Sequence, residues 1–96
     1  ISGSVEAIAK AQEALKAAGA KRVLQLAVGG AFHSPLMAQA AAQFEQALQA
    51  VQFQKASAPV VMNVDAQPTE EASVLLDKMT RQMPSSVRWT QMMQCM

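Results

Sequence analysis

The chain has 96 residues and a formal net charge of +1, and half of it is apolar, with Phe (three) and Trp (one) as the only large rings. That is one small domain at most, with a thin, Ala- and Met-rich core of the kind that leans on a larger body. Basic and acidic residues are mixed along the chain, so no basic face for nucleic acid is built; no apolar run reaches the roughly 18 residues of a membrane span; and one cysteine, Cys95, forms no internal disulfide or multi-cysteine metal site.

Residues 1–3 read as the end of a strand. Ser4 is an N-cap for a helix over 5–18, with Val5, Ile8, Ala11 and Leu15 on one face and Gly19 placed to end it. Residues 22–28 are nearly all apolar and predict a strand covered on both faces, which makes the first part a βαβ unit. Gly29-Gly30-Ala31-Phe32-His33 is a loop. Ser34 followed by Pro35 predicts a hydroxyl cap and a helix to Val51, with Met37, Ala40, Ala41, Phe44, Leu48 and Val51 on its apolar face. Residues 59–64 predict a short buried strand and 65–68 a turn. Thr69 is the expected cap of another helix, whose apolar face is Ala72, Leu75, Leu76 and Met79 and whose end is marked by Pro84. A last helix is expected from about Ser86, with Cys95 on its apolar face as a small buried hydrophobe. The apolar residues at both ends read as cuts through a longer protein.

His33 is the only histidine, and it stands in a Gly-rich loop one residue before a helix cap. The partial positive charge at a helix amino end suits an imidazole acting as a base. A surface or hydrogen-bonding histidine is the alternative on composition alone. No metal-ligand spacing is present, and Gly29-Gly30 lacks the further glycines and lysine of a phosphate loop. No serine lies in a Gly-x-Ser-x-Gly elbow, and Ser34 is too close to His33 in sequence to serve as its nucleophile.

The stretch Gly30-Ala31-Phe32-His33-Ser34-Pro35-Leu36-Met37 resembles the segment around the active-site histidine of malonyl-CoA:acyl carrier protein transacylases. Residues 1–3, the helix after them and 19–26 resemble the second half of that family's ferredoxin-like subdomain. Pro59-Val60-Val61-Met62-Asn63-Val64 resembles its strand returning to the large domain, and Val87-Arg88-Trp89 its near-terminal Val-x-Trp segment. The match runs through almost the whole chain in the family's order, and only the histidine segment is specific by itself.

The resemblance implies an α/β fragment from the carboxy-terminal part of such an enzyme: residues 1–28 in half of the ferredoxin-like subdomain (βαβ), and 29–96 in the catalytic-histidine loop and the return into an α/β-hydrolase-like large domain. It implies transfer of malonyl from malonyl-CoA to the phosphopantetheine thiol of acyl carrier protein, in fatty acid biosynthesis in the cytoplasm. The route is a malonyl-serine intermediate. His33 takes the acid–base role, the serine lies outside this chain, and the chain alone is inactive. Phe32 matches the residue that goes with malonyl, where serine goes with methylmalonyl, a discrimination worth only about 1–3 kcal/mol. Asn63 is a candidate for shaping the site, with a plain turn residue at the strand end as an equal alternative. No metal or cofactor is implied, and the residue that orients the histidine is expected beyond the Val-x-Trp segment. The alternatives are an acyltransferase domain of a polyketide synthase and a non-catalytic βαβ binding module.

Overall fold

Helix α1, Val5–Ala17, forms where the capping pattern places it. Ser4 is extended, and its Oγ accepts the Ala7 N–H at 3.2 Å. At the other end Gly19 adopts φ +91°, a conformation that costs a side-chain-bearing residue dearly. The Gly19 N–H bonds to the Lys16 carbonyl and the Ala20 N–H to that of Leu15, which satisfies two of the helix's orphan acceptors. Glu6–Lys10 and Glu13–Lys16 pairs run along its exposed side. No residue of α1 is buried in this computed structural model, which describes all residues of the chain.

The expected strand at 22–28 does not form, and neither do residues 1–3. The only backbone hydrogen bond among 22–28 runs from the Val28 N–H to the Leu26 carbonyl at 3.0 Å. A strand needs a neighbour for its N–H and C=O groups, and the chain brings none to this segment. The βαβ unit is therefore represented by its helix alone. Leu24, Leu26 and Val28 stay exposed and line, with Ile1, Val5 and Ile8, an open groove of about 740 Å³ beside α1.

The second half holds the core. Pro35–Met37 forms one 3₁₀ turn and leads into α2, Ala38–Gln49. Two residues each from β1 (Val60–Val61) and β2 (Pro68–Thr69) pair antiparallel, Val60 with Thr69 and Val61 with Pro68. Pro68 cannot donate to a ladder, and in a two-stranded ribbon it does not need to on its open side. Helix α3, Ala72–Gln82, then packs on α2, and α4, Trp89–Cys95, closes the chain. The architecture is α/β, with four helices and this small hairpin.

Ala41 and Leu48 of α2, Leu75 of α3, and Val64 and Ala66 of the hairpin turn make the apolar core. Only 7 of 96 residues are buried. The radius of gyration, 16.2 Å, exceeds the roughly 12–13 Å of a compact domain this long, because α1 and the segments beside it pack on little. Thr69 does not cap α3; its Oγ1 accepts the Glu71 N–H, and Glu71 is the residue at the cap. Cys95 is exposed rather than buried, since the apolar side of α4 meets no neighbour that would cover it.

One buried charge ties the hairpin to α3. The Lys78 side chain is 3% accessible, and its Nζ reaches the Gln67 carbonyl at 2.7 Å and Asp65 Oδ1 at 3.1 Å. Burial pushes the Asp65 carboxyl up, but the Gln67 N–H, Lys78 and Arg81 together outweigh it and hold the group below its ordinary value. A depressed carboxyl contributes stability that is whole above about pH 4 and is lost as the pH falls through the lower folded value. Asp65→Ala leaves the ammonium buried with one carbonyl partner. The cost expected is about 2 kcal/mol, below the roughly 3–5 of a fully buried pair because Asp65 is partly solvated. Lys78→Met, which removes the charge and keeps the volume, is expected to cost less. Thermal unfolding of both variants at pH 7 and pH 3 checks the order and its narrowing in acid.

Candidate functional site

The glycine loop delivers His33 to the carboxy-terminal end of α3. A Cβ on Gly30 would stand 3.2 Å from the Phe32 ring, so glycine there lets the ring lie over the backbone. Phe32 and His33 are both exposed. His33 itself has φ +65°, left-handed for a side-chain-bearing residue and strained by about 1–3 kcal/mol.

Three hydrogen bonds hold that strained residue. The His33 N–H donates to the Met83 carbonyl at 2.8 Å. Its ring Nδ1 lies 3.0 Å from the Ser85 carbonyl oxygen and 3.3 Å from that of Gln82. Both partners are acceptors only, so Nδ1 carries a proton and Nε2 keeps its lone pair in the neutral ring. Nε2 has no hydrogen-bond partner within the chain. The arrangement can take a proton at Nε2 and, at Nδ1, meet the resulting positive charge with two carbonyl dipoles.

Three expectations change here. Ser34 does not cap the following helix. It is buried, and its hydroxyl donates to the Ala31 carbonyl at 2.7 Å, closing the turn that carries His33. The ring faces the carbonyl end of α3 rather than the amino end of α2. The orienting groups expected beyond the Val-x-Trp segment have counterparts within the chain, the main-chain oxygens of Gln82 and Ser85. Backbone acceptors carry no side-chain signature, so the only hint in the sequence was the helix break at Pro84-Ser85-Ser86.

Asn63 meets the same carbonyls. Its Nδ2 lies 3.2 Å from the Gln82 oxygen, 3.5 Å from that of Ser85 and 3.4 Å from that of Ser86. Its own carbonyl accepts the Arg88 N–H at 3.3 Å, so the Val-x-Trp segment is tied to the hairpin. Sequence had placed His33 and Asn63 in separate segments; the fold brings them together around residues 82–86. No group of three or more His, Cys, Asp or Glu side chains could hold a metal ion. An open groove of about 490 Å³ between α2 and α3 reaches Ser85 and is rimmed by Glu45, Asp77 and Arg81. His33 does not line it.

No protein-family model matches the chain. Among curated proteins it is 42% identical over 93 residues to the malonyl CoA-acyl carrier protein transacylase of Synechocystis, covering 97% of this chain and 31% of that protein. The Escherichia coli enzyme of the same name is 38% identical over all 96 residues, again 31% of its length. The chain is homologous to a segment of the malonyl-CoA:acyl carrier protein transacylases. Solved transacylase structures agree in fold. That of the Synechocystis enzyme superposes with a TM-score of 0.85 over 98% of this chain and 31% of its own. A malonyl-transacylase in complex with a type II polyketide synthase acyl carrier protein superposes at 0.88, with 39% identity, over 96% of this chain and 30% of its own. The chain thus spans about a third of the length of these transacylases.

The ring tautomer is directly measurable. Long-range ¹H–¹⁵N correlation spectra of the His33 side chain are expected to show Nδ1 protonated and Nε2 bare in the neutral form. A proton on Nε2 would mean that the two carbonyls do not hold the ring.

Proposed function

We propose that this chain is the histidine-bearing part of an enzyme that moves malonyl from malonyl-CoA to the phosphopantetheine thiol of acyl carrier protein. The single observation that carries the reading is His33, with Nδ1 fixed by two carbonyls and Nε2 left free. A serine supplied by the rest of the enzyme gives its hydroxyl proton to Nε2 while its oxygen attacks the malonyl thioester carbonyl. The C–S bond breaks, and the coenzyme A thiolate leaves with the proton from Nε2. In the second half the carrier thiol gives its proton to Nε2 and attacks the malonyl-serine ester, and the serine oxygen takes the proton back. The Gln82 and Ser85 carbonyls steady the imidazolium both times.

The division of the chain follows the same reading. Residues 1–28 belong to a ferredoxin-like subdomain whose other strands would pair with the open segments beside α1. Residues 29–96 carry the histidine loop and return to an α/β-hydrolase-like large domain. Phe32, beside the histidine, favours malonyl over its α-methyl analogue. Asn63 shapes the site. No cofactor is needed, and the enzyme works in the cytoplasm on fatty acid synthesis. No helix is long and apolar enough to cross a membrane. A carrier protein of polyketide synthesis is the second reading, favoured by the solved complex with such a carrier.

In the full-length enzyme carrying this chain, His33→Ala is expected to slow malonyl-serine formation by about 10²–10⁴-fold. Rapid-quench assay with labelled malonyl-CoA measures it, and a near-normal rate would remove His33 from the reaction. Phe32→Ser should narrow the preference for malonyl- over methylmalonyl-CoA by roughly tenfold or more, within the range one methyl group commands. The 96-residue chain alone is expected to form no covalent malonyl adduct, read by intact-mass spectrometry.

A further inference from the structure

We propose that Asn63 is a positioning residue for His33, acting through the two carbonyls that they share. The proposal rests on the acid–base reading of His33 given above. Each carbonyl oxygen offers two lone pairs. At Gln82 and Ser85 these are approached by the same pair of donors, Nδ1 of His33 at 3.3 and 3.0 Å and Nδ2 of Asn63 at 3.2 and 3.5 Å, and the Gln82 oxygen is shared with a third, the Ser85 N–H at 3.2 Å. The amide also faces the Ser86 carbonyl at 3.4 Å, and its residue's own carbonyl takes the Arg88 N–H at 3.3 Å. One residue therefore grips the strand of backbone from 82 to 88 at both ends.

That grip has a firm base. Asn63 stands in the hairpin turn between β1 and β2, next to the buried Val64 and three residues before Ala66, which is 1% exposed. Lys78 fixes the same turn to α3 through Asp65 and Gln67. The carbonyls behind the imidazole are thus held from the hairpin side as well as by the helix they end. Three carbonyl neighbours settle which end of the amide faces them: the nitrogen donates, and an oxygen there would repel. The side chain touches neither Nε2 nor any reacting atom, so its influence reaches the reaction only through the ring's placement. A base displaced by about 1 Å loses on the order of 10²-fold in rate.

The test uses the full-length enzyme, with melting temperature, KM for malonyl-CoA and the single-turnover rate of malonyl-serine formation measured for each variant. Asn63→Ala is expected to lower that rate about 10–100-fold with KM within about threefold, and to leave the Nδ1 proton exchanging faster with water. Asn63→Asp keeps the shape but turns a donor into an anion facing three carbonyls, and is expected to fall further than Asn63→Ala. Asn63→Ser keeps a donor too short to reach the same three carbonyls and is expected to lose at least about threefold, less than Asn63→Ala; it carries the test should the other two not fold. A rate for Asn63→Ala, or for Asn63→Ser where only that folds, within about twofold of wild type while His33→Ala is crippled would overturn the proposal alone. So would a loss confined to KM. If His33→Ala is itself near normal, the acid–base reading fails and takes this inference with it.

Discussion

The site depends on the way α3 ends. A helix leaves its last carbonyls without intrahelical partners, and they must be satisfied by something else. Here Pro84 prevents the helix from continuing; the Gln82 carbonyl takes the Ser85 N–H, His33 and Asn63, the Met83 carbonyl takes the His33 N–H, and the Ser85 carbonyl just past the helix takes His33 and Asn63 as well. The imidazole is held by structural necessity: the same bonds that finish the helix fix the ring's tautomer. A carboxylate in that place would hold the ring through a full charge. Main-chain dipoles hold it with partial charges that any sequence provides, provided the backbone takes this path.

Several devices serve that path. Gly30 lets the Phe32 ring fold over the loop, Ser34 closes the turn from behind, and His33 accepts a left-handed backbone in exchange for three hydrogen bonds. From the other side the Lys78–Asp65 pair fixes the hairpin turn, and Asn63 carries that rigidity to residues 82–88. The buried side chains are few and mostly small, so polar clamps do work that a larger core would do by packing.

The sequence was legible where a single residue decides a local conformation. Ser4 and Gly19 bound α1, Pro35 starts the turn into α2, and the apolar spacing of Ala41, Leu48 and Leu75 marks the faces that become core. It was misleading where the outcome depends on a partner at a distance. Residues 22–28 have the composition of a strand but no ladder, and Lys78 is buried off the face of Ala72, Leu75, Leu76 and Met79 that periodicity marks, because Asp65 and Gln67 receive it. At the site, His33 was legible as an imidazole in a glycine loop, and Asn63 as a candidate. Their junction was not, because its acceptors belong to the backbone and can be found only once the chain has been folded.

The backbone at 22–28, unpaired but for the Val28–Leu26 bond, also bears on handling the molecule. Leu24, Leu26 and Val28 present apolar side chains next to N–H and C=O groups that seek a ladder, which is the template on which one β-edge adds to another. Produced by itself, the chain meets its own copies with that edge uncovered. A lysine introduced at position 24 or 26 would act as a gatekeeper against such pairing.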